Sequence, residues 1–210
     1  MKKPDNKLKL KVCGMCNPAN VSGVLELKPD FIGFIFHLPS PRNCDNPPDL
    51  LYPATTKRVV VTVDENFETL YKIQMLFHPD YYQLHGDETP SFCNKVKTEL
   101  APVIKAFRID ETFDFNLPLL YQDSSDIFLF DARGEKAGGN GIRFDWSLLQ
   151  KYKGTTPFMI SGGITPGMGK EICAIDHPQL LGVDINSGFE NSPGIKNIEQ
   201  IKQFKNEISG

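Results

Sequence analysis

The sequence predicts an α/β protein, a single (β/α)8 TIM barrel spanning residues 1–210, and three observations carry that expectation. Eight short apolar or β-rich runs recur along the chain. Their starts lie 22 to 31 residues apart, the length of one strand plus one helical return. Several runs are apolar on both faces, as strands buried in a parallel sheet are. A doubly wound open sheet shares the alternation, but eight evenly spaced units favour closure.

In order, the runs are Leu8–Val12, Phe31–Phe36, Arg58–Val63, Tyr81–Leu84, Val103–Phe107, Ile127–Phe130, Phe158–Ser161 and Leu180–Ile185. Helix starts fall between them. Asn17-Pro18, Thr89-Pro90 and Thr165-Pro166 each set a capping side chain before a proline at the first helical position. Val21, Val24 and Leu25 then form one apolar stripe, and Phe92, Val96 and Leu100 form another. A final helix capped by Asn197 buries Ile198, Ile201, Phe204 and Ile208. Two returns, "NPPDLLYPATTK" and "DETFDFNLPLLYQ", are rich in proline or turn residues and read as loops with at most a helical turn.

Composition narrows the function. The chain has 210 residues, 40% hydrophobic and 23% charged, with a net charge of −3. Its basic residues are scattered, so no stripe is offered to nucleic acid. No run approaches 18 apolar residues, which excludes an ordinary helical membrane span, and "MKKPDNKLKLKV" has no apolar signal region. Five cysteines at irregular spacing fit a reducing cytoplasm better than a disulfide framework.

A barrel of this kind builds its site at the C-terminal ends of its strands, so the residues there are the candidates. Cys13 follows the first run, Arg42 the second and His85 the fourth, while Asp131 ends the sixth. Gly162-Gly163 and Ser187-Gly188 end the seventh and eighth, where backbone N–H groups can approach a phosphate closely. Each pair alone reads as a turn; two on adjacent strand ends point to a phosphate site. Gly138-Gly139-Asn140-Gly141 reads as a loop able to close over a ligand, or as plain solvent loop. Asp131 can serve as a proton donor or as a loop cap. Arg42 sits in a proline-stiffened loop suited to an anion, and His85 is a catalytic or a structural histidine.

The pair Cys13-Gly14-Met15-Cys16 admits three readings. Zinc needs four ligands, and Cys44, Cys93, Cys173 and the four histidines show no metal spacing. A redox pair is favoured by a position before a helix, but a thioredoxin-like fold does not contain eight such units. A single working cysteine at the first strand end, acting as nucleophile or base, fits the barrel.

Taken in order, "KVCGM" (11–15), "FIGFIFHLPSPR" (31–42), "YYQLHGDE" (81–88), "FDARGEKAGGNGIRFDW" (130–146), "ISGGITP" (160–166) and "VDINSGFE" (183–190) resemble the phosphoribosylanthranilate isomerase family along nearly the whole chain. The resemblance implies an Amadori rearrangement in tryptophan biosynthesis that uses no metal or cofactor. It implies Cys13 as general base and Asp131 as general acid. It also implies substrate contacts at Arg42, His85, Asp184, Gly139 and Gly141, with phosphate held by Gly162, Gly163, Ser187 and Gly188. A cytoplasmic enzyme, monomeric or weakly dimeric, with a small phosphosugar as its only partner and neither nucleic acid nor membrane, follows from it. Cys16, Asn140 and Phe189 depart from the family pattern. Two rivals remain: a related phosphosugar aldose–ketose isomerase, which needs a second phosphate site, and a redox-responsive ligand-binding barrel using Cys13 and Cys16.

Overall fold

Residues 7–132 and 144–209 are described by a computed structural model. Eight parallel strands pair in chain order: β1 (Lys9–Val12), β2 (Phe31–Ile35), β3 (Lys57–Thr62), β4 (Tyr81–Leu84), β5 (Val103–Ile109), β6 (Ile127–Ala132), β7 (Phe158–Ser161) and β8 (Leu180–Ile185). Strand β8 returns to pair with β1, Lys11 opposite Asp184, so the barrel is closed and the open-sheet alternative falls. Every predicted run holds a strand. Strands β5 and β6 run two residues further than expected, because Arg108 pairs with Asp131 and Ile109 with Ala132. Asp131 thus lies within a strand rather than beyond it, and the ladder fixes its direction.

Among the described residues five α-helices lie outside: α1 (Pro18–Glu26), α2 (Phe67–Phe77), α3 (Pro90–Glu99), α4 (Gly169–Cys173) and α5 (Ile198–Ile208). The caps at Asn17, Thr89 and Asn197 accept from the N–H groups of Asn20, Phe92 and Gln200, so each satisfies a donor the helix leaves free. Helix α5 buries Ile201, Phe204 and Ile208, while Ile198 is half-buried. The expected start at Thr165-Pro166 is a correction. Those residues form a turn and α4 begins at Gly169, because Gly167 takes a φ of 90°, which no right-handed helix accommodates. The two weak returns behave as expected. Residues 46–56 carry no helix, and only a short 3₁₀ helix, Leu117–Tyr121, joins β5 to β6. Another, Trp146–Lys151, precedes β7. Aromatic rings pack where full helices are missing: Phe107 meets Tyr121 at 5.3 Å and Phe130 meets Tyr152 at 5.5 Å, both edge-on.

Strand pleating separates two apolar layers. Leu10, Val12, Ile32, Val60 and Phe128 face the helices. Phe31, Val59, Val61, Ile104, Leu129 and Met159 fill the barrel, with Cys13 on top of them. Among the described residues no helix is long and apolar enough to cross a membrane.

Candidate active site

The pleat of β1 sends Lys11 and Cys13 inward, one above the other. Lys11 is fully buried, and its Nζ donates to Asp184 Oδ2 on β8 at 2.8 Å. Cys13, 4% exposed, is held by its backbone N–H on Ile185 O at 2.9 Å. Gly33 on β2 makes the space for both side chains. A Cβ there would stand 2.8 Å from Cys13 Sγ and 3.2 Å from Lys11 Nζ. Burial pushes the Cys13 thiol above its ordinary value; the Lys11 ammonium opposes that rise and the Asp184 carboxylate adds to it. Burial pushes Lys11 itself down, but Asp184 and Cys13 outweigh it and raise the ammonium above the ordinary lysine value.

Asp131, 7% exposed, leans from β6 toward His85, whose Nε2 lies 3.3 Å from Asp131 Oδ2. No hydrogen bond links those two atoms. Gln83 Nε2 sits 3.0 Å from His85 Nδ1 and ties the ring to its own strand. Cys13, Gln83, His85, Asp131, Ser161 and Asp184 line one cavity of about 590 Å³ counted to its open rim. The barrel mouth therefore presents a thiol and a carboxyl to a single space. Asp184 Oδ1 is buried with no hydrogen-bond partner among the described residues.

Arg42 is placed differently from its sequence expectation. Its guanidinium forks onto Glu190, with Nε at 2.9 and 3.0 Å from the two carboxylate oxygens and Nη2 at 2.7 Å. Lys196, buried, donates to the same carboxylate at 2.6 Å and to Asn186 Oδ1 at 2.7 Å. Two cations and one anion leave a single net positive charge at the rim. Burial would push the Glu190 carboxyl up, but Arg42 and Lys196 hold it below the usual carboxylate range. Gly14, at a φ of 73°, lets this cluster close over Cys13: a Cβ would stand 2.8 Å from Arg42 Cδ.

The glycine pairs come together. Gly162 and Gly163 take φ of 86° and 65°, and a Cβ on Gly188 would stand 2.2 Å from Ile164 O, so the loops after β7 and β8 touch. Ser187 opens a 3₁₀ turn, Ser187–Phe189. Gly139 and Gly141, with the rest of their loop, lie outside the described residues. The Cys-x-x-Cys pair is split. Cys16 packs against the outer core that holds Cys44, while Cys13 looks into the barrel. No group of three or more histidine, cysteine or acidic residues among the described ones is arranged to hold a metal.

Sequence reasoning missed Lys11, Glu190 and Lys196. Lys11 carried a signal, since it shares the inward face of Cys13 two residues away on the strand. Glu190 meets Arg42 from 148 residues away, and Lys196 reaches the site only through Glu190 and Asn186 in the folded loop, so neither carried one.

Comparisons with known proteins point to one family. The sequence profile described as N-(5′-phosphoribosyl)anthranilate (PRA) isomerase matches residues 10–207. The chain belongs to the N-(5′-phosphoribosyl)anthranilate isomerase family. A member of that family from Parabacteroides distasonis is 41% identical, the match covering 95% of this chain and 92% of the relative. One from Phocaeicola vulgatus is 38% identical, covering 95% and 97%. The crystal structure of phosphoribosyl anthranilate isomerase from Thermotoga maritima superposes with a TM-score of 0.79 at 29% identity, covering 94% and 96%. A structure of the family enzyme in complex with reduced 1-(o-carboxyphenylamino)-1-deoxyribulose 5-phosphate gives 0.80 at 28% identity, covering 96% and 98%.

Proposed function

We propose that the mouth cavity rearranges N-(5′-phosphoribosyl)anthranilate to 1-(2-carboxyphenylamino)-1-deoxyribulose 5-phosphate in tryptophan biosynthesis, with Cys13 as general base and Asp131 as general acid. The observation that carries this assignment is that these two groups open into one cavity from β1 and β6. The reaction needs no more than two positioned proton carriers. Asp131 gives its proton to the furanose ring oxygen. The C1′–O bond breaks, and the nitrogen lone pair forms the protonated Schiff base. The Cys13 thiolate takes the proton from C2′, those electrons form the C1′=C2′ bond, and the C=N pair returns to nitrogen to give the enolamine. The Cys13 thiol then gives its proton to C1′ while the 2′-hydroxyl proton passes to the Asp131 carboxylate, which leaves the ketone at C2′ and resets both groups.

The remaining assignments follow from chemistry at the rim. The net positive charge of Arg42, Lys196 and Glu190 suits the anthranilate carboxylate. The touching loops of Gly162, Gly163, Ser187 and Gly188 suit the phosphate. The unpartnered Asp184 Oδ1 suits a sugar hydroxyl. His85 Nε2, 3.3 Å from Asp131 Oδ2, suits a residue that orients the acid. A cytoplasmic location and a monomeric or weakly dimeric state complete the proposal, the latter read by sedimentation velocity.

The test is loss of substrate fluorescence, with the labile substrate generated in place from anthranilate and phosphoribosyl pyrophosphate. Enzyme-dependent decay is expected, together with a loss of at least about 10²-fold in folded Cys13→Ser. Decay at the uncatalysed rate from folded, reduced protein overturns the reaction. Cys13→Ser at near wild-type rate overturns the base.

A further inference from the structure

Lys11 is an expensive residue to place where it is. Its ammonium lies at the centre of a closed barrel, fully buried, where an ion is costly unless it is paired. Asp184 supplies the counter-charge, yet that pair needs only one of the ammonium's three donors. The ammonium and the Cys13 sulfur converge over Gly33, where a Cβ would stand 3.2 Å from Lys11 Nζ and 2.8 Å from Cys13 Sγ, so the missing Cβ is what lets them meet. A buried leucine or methionine would fill this volume without charge. The charge asks for a use.

We propose that Lys11 is a positioning residue for the general base: its ammonium, anchored by Asp184, faces the Cys13 sulfur across the Gly33 gap and stabilises the thiolate form against its burial. The proposal rests on Cys13 being the base. Every charged or titratable group around that sulfur bears on it. Lys11 lies beneath on its own strand, and Asp184 lies beside it on β8, its charge directed at Lys11. Lys196 stands at the rim, already committed to Glu190 and Asn186. Asp131, His85 and His37 look in from other walls of the cavity. Among these groups, Lys11 is the cation that meets the sulfur at the Gly33 gap. When the thiolate takes the C2′ proton it becomes a neutral thiol, and Lys11 keeps its bond to Asp184. No proton leaves the ammonium, so the site is reset once the thiol passes its proton on.

The experiment is the pH dependence of Cys13 alkylation by iodoacetamide, read at the Cys13 peptide by mass spectrometry so that Cys16, Cys44, Cys93 and Cys173 do not contribute. It is run on the full chain beside kcat/KM. A nearby opposite charge shifts such a group by about 1–3 pH units, each unit being tenfold in thiolate fraction. Lys11→Met should therefore move the alkylation limb up by at least about one unit and lower turnover near neutral pH about tenfold or more, with recovery toward alkaline pH. Lys11→Met also strands the Asp184 charge. Should it fail to fold, Lys11→Met/Asp184→Asn leaves no buried charge unpaired, and its limb should also move up. A folded variant with an unmoved limb overturns the proposal and leaves Lys11 as a counter-ion for Asp184. Cys13→Ser retaining turnover overturns the base reading instead, a separate result from the wild-type alkylation limb.

Discussion

Gly33→Ala tests the interior geometry with one methyl group. The added Cβ would lie 2.8 Å from Cys13 Sγ, 3.2 Å from Cys13 Cα and 3.2 Å from Lys11 Nζ. Non-bonded heavy atoms settle at roughly 3.5–4.0 Å, so the sulfur contact is short by about 0.7–1.2 Å. Rotating the cysteine relieves the sulfur but not the backbone Cα, so β1 and β2 must part or the side chains must leave their places. Overpacking of this kind costs about 1–3 kcal/mol. At ~2–4 °C per kcal/mol for a chain of this size, Tm should fall by about 2–12 °C. The effect on chemistry should be larger, since moving a catalytic group by ~1 Å can cost about 10²-fold. Thermal unfolding by circular dichroism gives the first number, and the fluorescence decay gives kcat/KM. Gly23→Ala is the control. Its Cβ would meet only the tip of Ile198, at 3.3 Å, while helix α1 gains roughly 1 kcal/mol from alanine over glycine. Tm should hold or rise there, with kcat/KM unchanged. Gly33→Ala with wild-type Tm and wild-type kcat/KM would refute the placement of Cys13 and Lys11 over β2.

Other consequences follow from the same geometry. Asp131→Asn removes a proton donor without changing size, so kcat/KM should fall by at least about 10²-fold while the far-ultraviolet spectrum and Tm stay near wild type. Glu190→Gln leaves Lys196 buried without its counter-charge and should cost up to about 3–5 kcal/mol near neutral pH in urea unfolding. Because the folded protein lowers the Glu190 carboxyl below its ordinary value, that stabilisation is complete above about pH 4.3 and is lost as pH falls through the lowered value. The gap between wild type and variant should therefore close in acid, and a gap that widens there would contradict the assignment. Cys16→Ser touches the outer core that holds Cys44 but no part of the cavity, so its turnover should match wild type. A loss comparable to that of Cys13→Ser would return the two cysteines to a shared role.

The architecture was legible because the signals that write it are local. Strands β4, β7 and β8 fall where their apolar runs begin and end, since a strand buried on both faces must be apolar throughout. Helices α1, α3 and α5 start at caps whose side chains bond their own third residue, a contact contained within four positions of sequence. The failure at Thr165-Pro166 came from a local rule overruled locally. The motif opens a helix only if the next residues stay right-handed, and Gly167 does not. At the site, Cys13, His85 and Asp131 were legible from their places at strand ends, because a closed barrel turns all of those ends toward one space.

What the sequence by itself determined is the barrel, the end at which chemistry sits and the reactive side chains delivered there. Each of these follows from period and punctuation along the chain. Only the tertiary structure decided which charges neutralise which. Lys11 meets Asp184 across 173 residues because β1 and β8 close the barrel in one register. Arg42 meets Glu190 across 148 because the loops after β2 and β8 share a rim. Periodicity records the face a side chain takes, but an ion pair also needs a partner's position in space, and closure alone supplies that position.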